Sequence, residues 1–217
     1  MSQTSTIDVF FVEDNEVIRF QLRSFLKKVP DFSCVGEAGD GAVAKEKIKA
    51  ASPAVALVDI GLPGLNGIQL TKHLKESLPN LRVLMLTASD SPSDIFDSLD
   101  AGADGYVLKG DFSINLEMAI RSVKVGAVWL DPGIARQVLE ITKRPLSPAV
   151  ERALDPMAPQ LSQHEEQTLN EVAASNCKDG VCLIDPGFLK KLKRFSQTGN
   201  HSAIEAPTPQ ASSSTDN

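Results

Sequence analysis

The sequence has few of the residues that form disulfide frameworks or metal clusters. It contains three scattered histidines and only three cysteines, Cys34, Cys177 and Cys182. An odd number of cysteines without CxxC spacing favours reduced thiols in a cytosolic protein over disulfides or a zinc site. The histidines have no partner at metal-ligand spacing, so a histidine-based metal centre is not expected.

Long apolar runs and an excess of positive charge are also missing. No apolar stretch reaches the roughly 18 residues of a transmembrane helix, and residues 1–6 lack the basic segment of a secretion signal. The net charge of −6 argues against a protein that coats nucleic acid, although a local basic patch is compatible with it. We therefore expect a soluble, cytoplasmic protein that does not insert into a membrane.

The chain does have enough apolar residues for one well-packed domain, at 42% of its 217 residues. Its length allows that domain plus a smaller unit or a tail. The clearest element is the apolar run Val55–Val58, which ends on Asp59 before a loop rich in glycine and proline. Such a run is typical of a strand buried on both faces. Asp59 is therefore predicted at the carboxyl end of a parallel strand, where ligands bind in open sheets.

Strand-like and helix-like patterns alternate through the first part of the chain. Strands are predicted at 7–12, 32–38, 55–59, 83–87 and 106–108. A helix follows each strand, and the helix starts are marked by Asn15, by Asn66 and by Ser91-Pro92. Five strands alternating with five helices predict an α/β fold built on a five-stranded doubly wound parallel sheet, of the flavodoxin-like kind.

The composition changes after residue 127. We predict a first domain at 1–127, a proline-rich linker at 128–160, a small, mainly helical segment at 161–197 and a disordered tail at 198–217. Residues 117–133 and 171–187 match each other without a gap. The match indicates either an internal repeat or the chance recurrence of common helix-stop and helix-start patterns. On either interpretation, Asp131 and Asp185 are predicted N-caps of short helices.

Polar side chains end four of the predicted strands and should meet at one edge of the sheet. They are Glu13, Asp14, Asp59, Thr87 and Lys109. Clustered carboxylates repel unless a cation joins them, and hard oxygen ligands suit Mg²⁺, which binds phosphate readily. With a lysine as fixed positive charge and a threonine as hydroxyl donor, the cluster could stabilise a phosphoryl group on a carboxylate nucleophile. The alternative is an incidental acidic rim with a salt-bridging lysine.

Residues 7–125 resemble the receiver domain of two-component response regulators. The resemblance rests on Glu13-Asp14, the 59–63 loop with Gly67, Thr87-Ala88, and the Gly-Tyr-Val-Leu-Lys stretch at 105–109. It implies that Asp59 accepts a phosphoryl group from the histidine of a sensor kinase or phosphotransfer protein. It also implies that Mg²⁺ is the cofactor.

The resemblance implies a role for each site residue. Asp14, Asp59 and the carbonyl of Gly61 would hold Mg²⁺, with Glu13 acting through water.

Lys109 would contact the phosphoryl oxygens, and Thr87 and Tyr106 would form a switch pair.

Two positions depart from the family pattern. Gly110 follows the lysine where many receivers have a cis-proline, and Gly61 has no side chain to position or block an attacking water.

The C-terminal part resembles LuxR-type transcriptional regulators only at its start. Residues 126–132 are similar to their linker, and 161–165 with Leu169 to the first helix of their DNA-binding domain. The expected recognition helix does not follow, since 177–194 contains Gly180, Pro186 and Gly187. Acidic and basic residues also balance between 161 and 199, whereas a duplex-binding module normally carries a positive excess.

Two functions stay open on this evidence. One is a phosphorylation-switched interaction module with a degenerate output segment, and the other is a DNA-binding regulator with an atypical helix-turn-helix. In both, the receiver is not an enzyme but a phosphoacceptor that assists its own phosphotransfer and dephosphorylation. A third possible function is a phosphatase of the aspartyl-nucleophile type, but such an enzyme needs a general-acid aspartate two residues after the nucleophile, where this chain has Gly61.

The predicted fifth helix carries a second apolar set, Ile114, Met118 and Val125, off its core-facing stripe. A homodimer through the fourth and fifth helices would bury this set. The alternative is that Val128 and Trp129 fold back and cover it within one chain.

Overall fold

A parallel β-sheet of six strands lies at the centre of the fold. The computed structural model describes residues 6–88, 91–110, 112–143 and 162–173. Within these ranges the strand order is β2-β1-β3-β4-β5-β6, and every neighbouring pair is parallel. The strands are β1 (Ile7–Val12), β2 (Phe32–Ala38), β3 (Val55–Asp59), β4 (Arg82–Thr87), β5 (Gly105–Leu108) and β6 (Trp129–Leu130). The order reverses between β1 and β3, which gives the doubly wound, flavodoxin-like arrangement expected from the sequence.

Helices cover both faces of the sheet. They are α1 (Glu16–Lys28), α2 (Gly41–Ala51), α3 (Gly67–Ser77), α4 (Pro92–Asp100), α5 (Phe112–Lys124), α6 (Pro132–Lys143) and α7 (Gln163–Ala173). Helices α1 and α5 pack on one face, and the other helices contribute to the core on the opposite face. Among the helices of the described ranges, none combines the length and apolar character needed to cross a membrane.

Strand β3 is buried along its whole length, as its continuous apolar sequence predicts. Val55 and Leu57 point into the core beneath α1 and α5, while Ala56 and Val58 point into the core on the other face. This alternation is the normal consequence of the two-residue side-chain period of a strand. Because apolar side chains occupy both faces, the polar Asp59 can only end the strand.

The prediction of five strands is wrong by one, because β6 extends the sheet beyond β5. Trp129 N donates to the Asp104 carbonyl at 3.2 Å, and Asp131 N donates to the Tyr106 carbonyl at 3.1 Å. Two residues are too short for a recognisable strand pattern. The pairing also requires Gly105, since a Cβ atom there would lie 2.7 Å from the Trp129 carbonyl oxygen.

Part of the segment predicted as a linker packs on the domain. In α6, Ile134, Ala135 and Val138 are fully buried in the core shared with α3 and α4, and Leu169 of α7 joins the same core. The remainder of the predicted linker, Asp185 and the predicted tail lie outside the described residues.

A capping box starts α7. Ser162 Oγ accepts the Glu165 amide hydrogen at 3.3 Å, and Glu165 Oε2 accepts the Ser162 amide hydrogen at 2.6 Å.

Trp129 lies on the α5 side of the sheet, where Met118 of the second apolar set also packs. It lies in the same core cluster as the buried side of that helix, and Met118 packs against this cluster. Val128 is also buried, but on the opposite face of the sheet. Val125 remains 79% exposed. The side chain of Ile114 lies outside the described residues, so both the fold-back within one chain and a homodimer through this surface stay predictions.

Candidate functional site

The carboxyl ends of four strands bring the predicted polar residues to one edge of the sheet. Glu13 and Asp14 follow β1, Asp59 ends β3, Thr87 ends β4 and Lys109 follows β5. Glu13 is fully buried, Asp59 is 5% exposed and Thr87 is 3% exposed, whereas Asp14 is exposed to solvent. Solvent therefore reaches the cluster mainly from the side of Asp14.

The ammonium group of Lys109 bridges the two buried carboxylates. Its Nζ atom lies 2.7 Å from Oε2 of Glu13 and 3.0 Å from Oδ2 of Asp59. One positive charge thus faces two buried carboxylates, with the exposed Asp14 beside them. Buried charges need such pairing, because the protein interior solvates an isolated ion poorly.

The buried position of Glu13 shifts its acidity. Burial raises the pKa of Glu13 above its ordinary value of 4.5, and the negative charge of Asp59 acts in the same direction. The hydrogen bond from Lys109 opposes this and lowers the pKa. The net shift is upward, because the loss of solvation on burial outweighs the stabilising contact with Lys109.

The three carboxylates are close enough to share one metal ion. Ligand atoms of Glu13, Asp14 and Asp59 all lie within 4.8 Å of one another. An all-oxygen, acidic donor set that is open to solvent on one side fits Mg²⁺, which retains water molecules in its coordination shell. A bound divalent cation would offset the repulsion between the three clustered carboxylates.

The backbone after Asp59 makes an unusually close approach to α3. A Cβ atom at Gly67 would lie 1.9 Å from the Asp59 carbonyl oxygen, so only glycine fits there. The Gly67 amide donates to the Ile60 carbonyl at 3.0 Å, and the Asn66 side chain caps α3 through the Gln69 amide. These contacts close the loop and fix the position of Asp59. The equivalent Cβ position at Gly61 is 3.6 Å from Asp59 Oδ2, an ordinary contact at the mouth of the site.

Similarity to known proteins agrees with this geometry. The family model described as the response regulator receiver domain matches residues 9–121. The chain belongs to the response regulator receiver family.

Individual relatives cover the same part of the chain. DNA-binding transcriptional activator DevR/DosR of Mycobacterium tuberculosis is 41% identical over 125 residues, 58% of this chain and 58% of that protein. Response regulator protein VraR of Staphylococcus aureus is 33% identical over 129 residues, 59% of this chain and 62% of that protein. A crystal structure of a two-component response regulator of the LuxR family from Aurantimonas sp. SI85-9A1 has 29% identity and a TM-score of 0.61, covering 63% of this chain and 97% of that one. The matched region thus spans less than two thirds of either curated relative.

Within this receiver domain, the two predicted switch residues lie on adjacent strands. Thr87 is opposite Leu108 in the β4–β5 pairing, and Tyr106 is opposite Met85. Tyr106 is fully buried in the core beneath α3, α4 and α6. At Gly110, where many receivers have a cis-proline, a Cβ atom would meet nothing within 4 Å, and the described residues contain no cis peptide bond.

One supporting residue of the receiver site was missed in the sequence. Arg19 donates through Nη1 to the carbonyl oxygens of Glu13 at 2.8 Å and Asp14 at 3.0 Å, and its guanidinium also pairs with Glu16. It therefore holds the backbone of the acidic pair against α1. Its position one turn into a helix capped by Asn15 is a signal that could have identified it.

Proposed function

We propose that this response regulator carries its phosphoryl group on Asp59 and receives it from the histidine of a sensor kinase or phosphotransfer protein. The observation that carries the proposal is the buried Asp59 carboxylate at the end of β3, 3.0 Å from Lys109 Nζ and within 4.8 Å of two further carboxylates. This arrangement provides a nucleophile, a fixed positive charge and ligands for a divalent cation.

In the proposed transfer, an Asp59 carboxylate oxygen attacks the phosphorus of a phosphohistidine. The new O–P bond forms as the N–P bond breaks, and the imidazole leaves with a proton taken from solvent. Asp14, Asp59 and the carbonyl of Gly61 would hold Mg²⁺, with Glu13 acting through water. The bound ion would neutralise charge on the phosphoryl oxygens.

Lys109 and the two switch residues act on the product. The Lys109 ammonium exchanges part of its contact with Asp59 for the new phosphoryl oxygens. Thr87, which ends the adjacent strand, turns its hydroxyl towards the phosphoryl group. Space vacated by Thr87 then allows the Tyr106 ring to shift and remodels the surface formed by α4, β5 and α5.

A phosphoacceptor role fits better than a turnover enzyme. An aspartyl-nucleophile phosphatase would need a general acid two residues after the nucleophile, and Gly61 has no side chain there. The receiver instead assists the formation and loss of its own acyl phosphate.

A DNA-binding output is the second candidate function. One relative is described as a DNA-binding transcriptional activator, and α7 occupies the place predicted for the first helix of a LuxR-type DNA-binding domain. Against it stands the balance of acidic and basic residues between 161 and 199. A mobility-shift assay on the gene's own promoter, with phosphorylated and unphosphorylated full chain, separates the two output functions.

Labelling with a small phosphodonor in Mg²⁺ tests the phosphoacceptor. The wild type should be labelled, and Asp59→Asn should not. Asp8→Asn is the matched control, because Asp8 is an exposed carboxylate near the amino end of β1, away from the site. Full labelling of Asp59→Asn would overturn the proposal.

A further inference from the structure

The carboxylate of Asp131 joins β5, β6 and α5 just beyond the lysine-bearing end of β5. Asp131 lies outside the 9–121 family match and is only 3% exposed. Its Oδ2 accepts the Leu108 amide hydrogen at 2.7 Å. Its Oδ1 accepts from the Trp129 indole Nε1 at 3.2 Å and from Asn115 Nδ2 at 3.3 Å. Both carboxylate oxygens are therefore engaged, each with different donors.

Asp131 also extends the β5–β6 ladder by one bond. Asp131 N donates to the Tyr106 carbonyl, so a regular parallel ladder would continue from Leu108 N to the main-chain carbonyl of residue 131. That carbonyl instead accepts the Ala135 amide hydrogen at 2.9 Å and starts α6. The Oδ2 atom of Asp131 accepts the Leu108 amide hydrogen in place of the main-chain carbonyl. One residue thus ends β6, begins α6 and holds the end of β5.

The opposite side of β5 is held by β4. Lys109 N donates to the Thr87 carbonyl at 2.8 Å, so the backbone that leads into the lysine is fixed by Thr87 on one side and by Asp131 on the other. We infer that Asp131 is a positioning residue, which fixes the end of β5 from which Lys109 reaches Asp59. It transmits a displacement of that lysine to α6. This inference rests on the proposed function.

An asparagine cannot reproduce this arrangement. Asp131→Asn keeps one acceptor oxygen but turns an amide N–H₂ towards either Leu108 or the donors Trp129 and Asn115. A buried donor then faces another donor, and the backbone leading into Lys109 is released or displaced.

The test compares two buried carboxylates at the two ends of β5. Asp104 is 7% exposed, accepts the Val83 amide hydrogen at 2.9 Å and pairs with Lys75 and Arg82. It lies at the end of β5 remote from Asp59. Both Asp131→Asn and Asp104→Asn should therefore lower the melting temperature of the full chain.

Only Asp131→Asn should slow phosphorylation by a small phosphodonor in saturating Mg²⁺. We expect a fall of about tenfold or more in the maximal rate, because a small misplacement of a group that contacts the reacting atoms has effects of this order. The donor concentration that gives half the maximal rate should not change. A wild-type maximal rate in Asp131→Asn, or an equal fall in Asp104→Asn, would overturn the inference.

A measurement on the wild type keeps the test independent of how the variants fold. Hydrogen exchange of the Leu108 amide and of the α6 amides is followed with and without beryllofluoride and Mg²⁺, which imitate the phosphoryl group. Leu108 and α6 should change together, and a response confined to the 59–67 loop would contradict the inference. A wild type that accepts neither the phosphoryl group nor its mimic would instead overturn the proposed function, and the inference with it.

Discussion

Removing the charge of Lys109 should destabilise the fold by an amount that depends on pH. Its ammonium lies 2.7 Å from Glu13 and 3.0 Å from Asp59, and both carboxylates are buried. Lys109→Met leaves them facing one another without a counterion. Breaking a buried pair by removing one partner lowers the free energy of unfolding by about 3–5 kcal/mol.

Protonation sets a limit to this loss. Glu13 can escape the repulsion by taking up a proton, and its ordinary pKa is 4.5. Keeping such a carboxyl protonated costs about 4 kcal/mol at about pH 7.5, but only about 1 kcal/mol at about pH 5. Lys109→Met should therefore lower the free energy of unfolding by about 3–4 kcal/mol at the higher pH and by no more than about 1 kcal/mol at the lower.

The sign of the pH dependence follows from proton binding. Burial raises the pKa of Glu13 in the folded chain, so the folded state binds the proton more tightly than the unfolded state. This contribution to stability is fully present below the ordinary pKa of 4.5 and is lost as the pH rises through the raised value. Lys109→Met removes the hydrogen bond that holds this pKa down, which widens the pH range over which stability is lost.

Urea unfolding followed by circular dichroism, with a chelator present, measures both values. Lys72→Met is the matched control, because Lys72 is exposed on α3 and the same substitution there removes a solvated charge. An equal loss at both pH values, or a loss no larger than that of the control, would refute the electrostatic account of the site.

Three further predictions follow from the geometry. In urea titrations, Gly67→Ala should lower the free energy of unfolding by at least about 1–3 kcal/mol, because the new Cβ would overlap backbone atoms. Gly110→Ala is the control: its Cβ meets nothing within 4 Å, so the free energy of unfolding should change by less than about 1 kcal/mol. Asp14→Ala should weaken Mg²⁺ binding in calorimetry more than Glu13→Gln, since a direct ligand matters more than one acting through water, and wild-type affinity in Asp14→Ala would contradict this. Leu169→Ala should speed hydrogen exchange of the α7 amides and leave exchange of the sheet amides unchanged, because that leucine is fully buried in the core shared with α6. Unchanged exchange in α7 would show that the contact does not hold the helix.

The strands and helix starts were predictable where the signal is local. The predicted spans 7–12, 32–38 and 55–59 coincide with β1, β2 and β3, because apolar runs bounded by turn residues define them without reference to distant residues. Asn15 and Asn66 cap α1 and α3 as predicted, since a cap depends only on the next three residues. The clustering of the acidic residues at one edge of the sheet was also predictable, because the carboxyl ends of parallel strands lie at the same edge.

The features that were missed depend on tertiary contacts. Strand β6 exists because Gly105 lets Trp129 approach β5, a contact between residues far apart in the sequence. Asp131 was predicted only as a helix N-cap, and its bonds to Leu108 and Asn115 arise from the way β5 and α5 pack around it. Arg19 has a local signal in its position one turn into the capped helix α1, but its contact with the Glu13 and Asp14 carbonyls is visible only in the structure.

The most direct test of the central claim locates the phosphoryl group itself. The full chain is treated with a small phosphodonor in Mg²⁺, the acyl phosphate is reduced with borohydride, and the peptides are sequenced by mass spectrometry. An acyl phosphate on aspartate is recovered as homoserine, so the account predicts homoserine at position 59 and aspartate at position 14. Recovery of unmodified aspartate at position 59 from chain that carries the phosphoryl group, with the modification at any other residue, would contradict it.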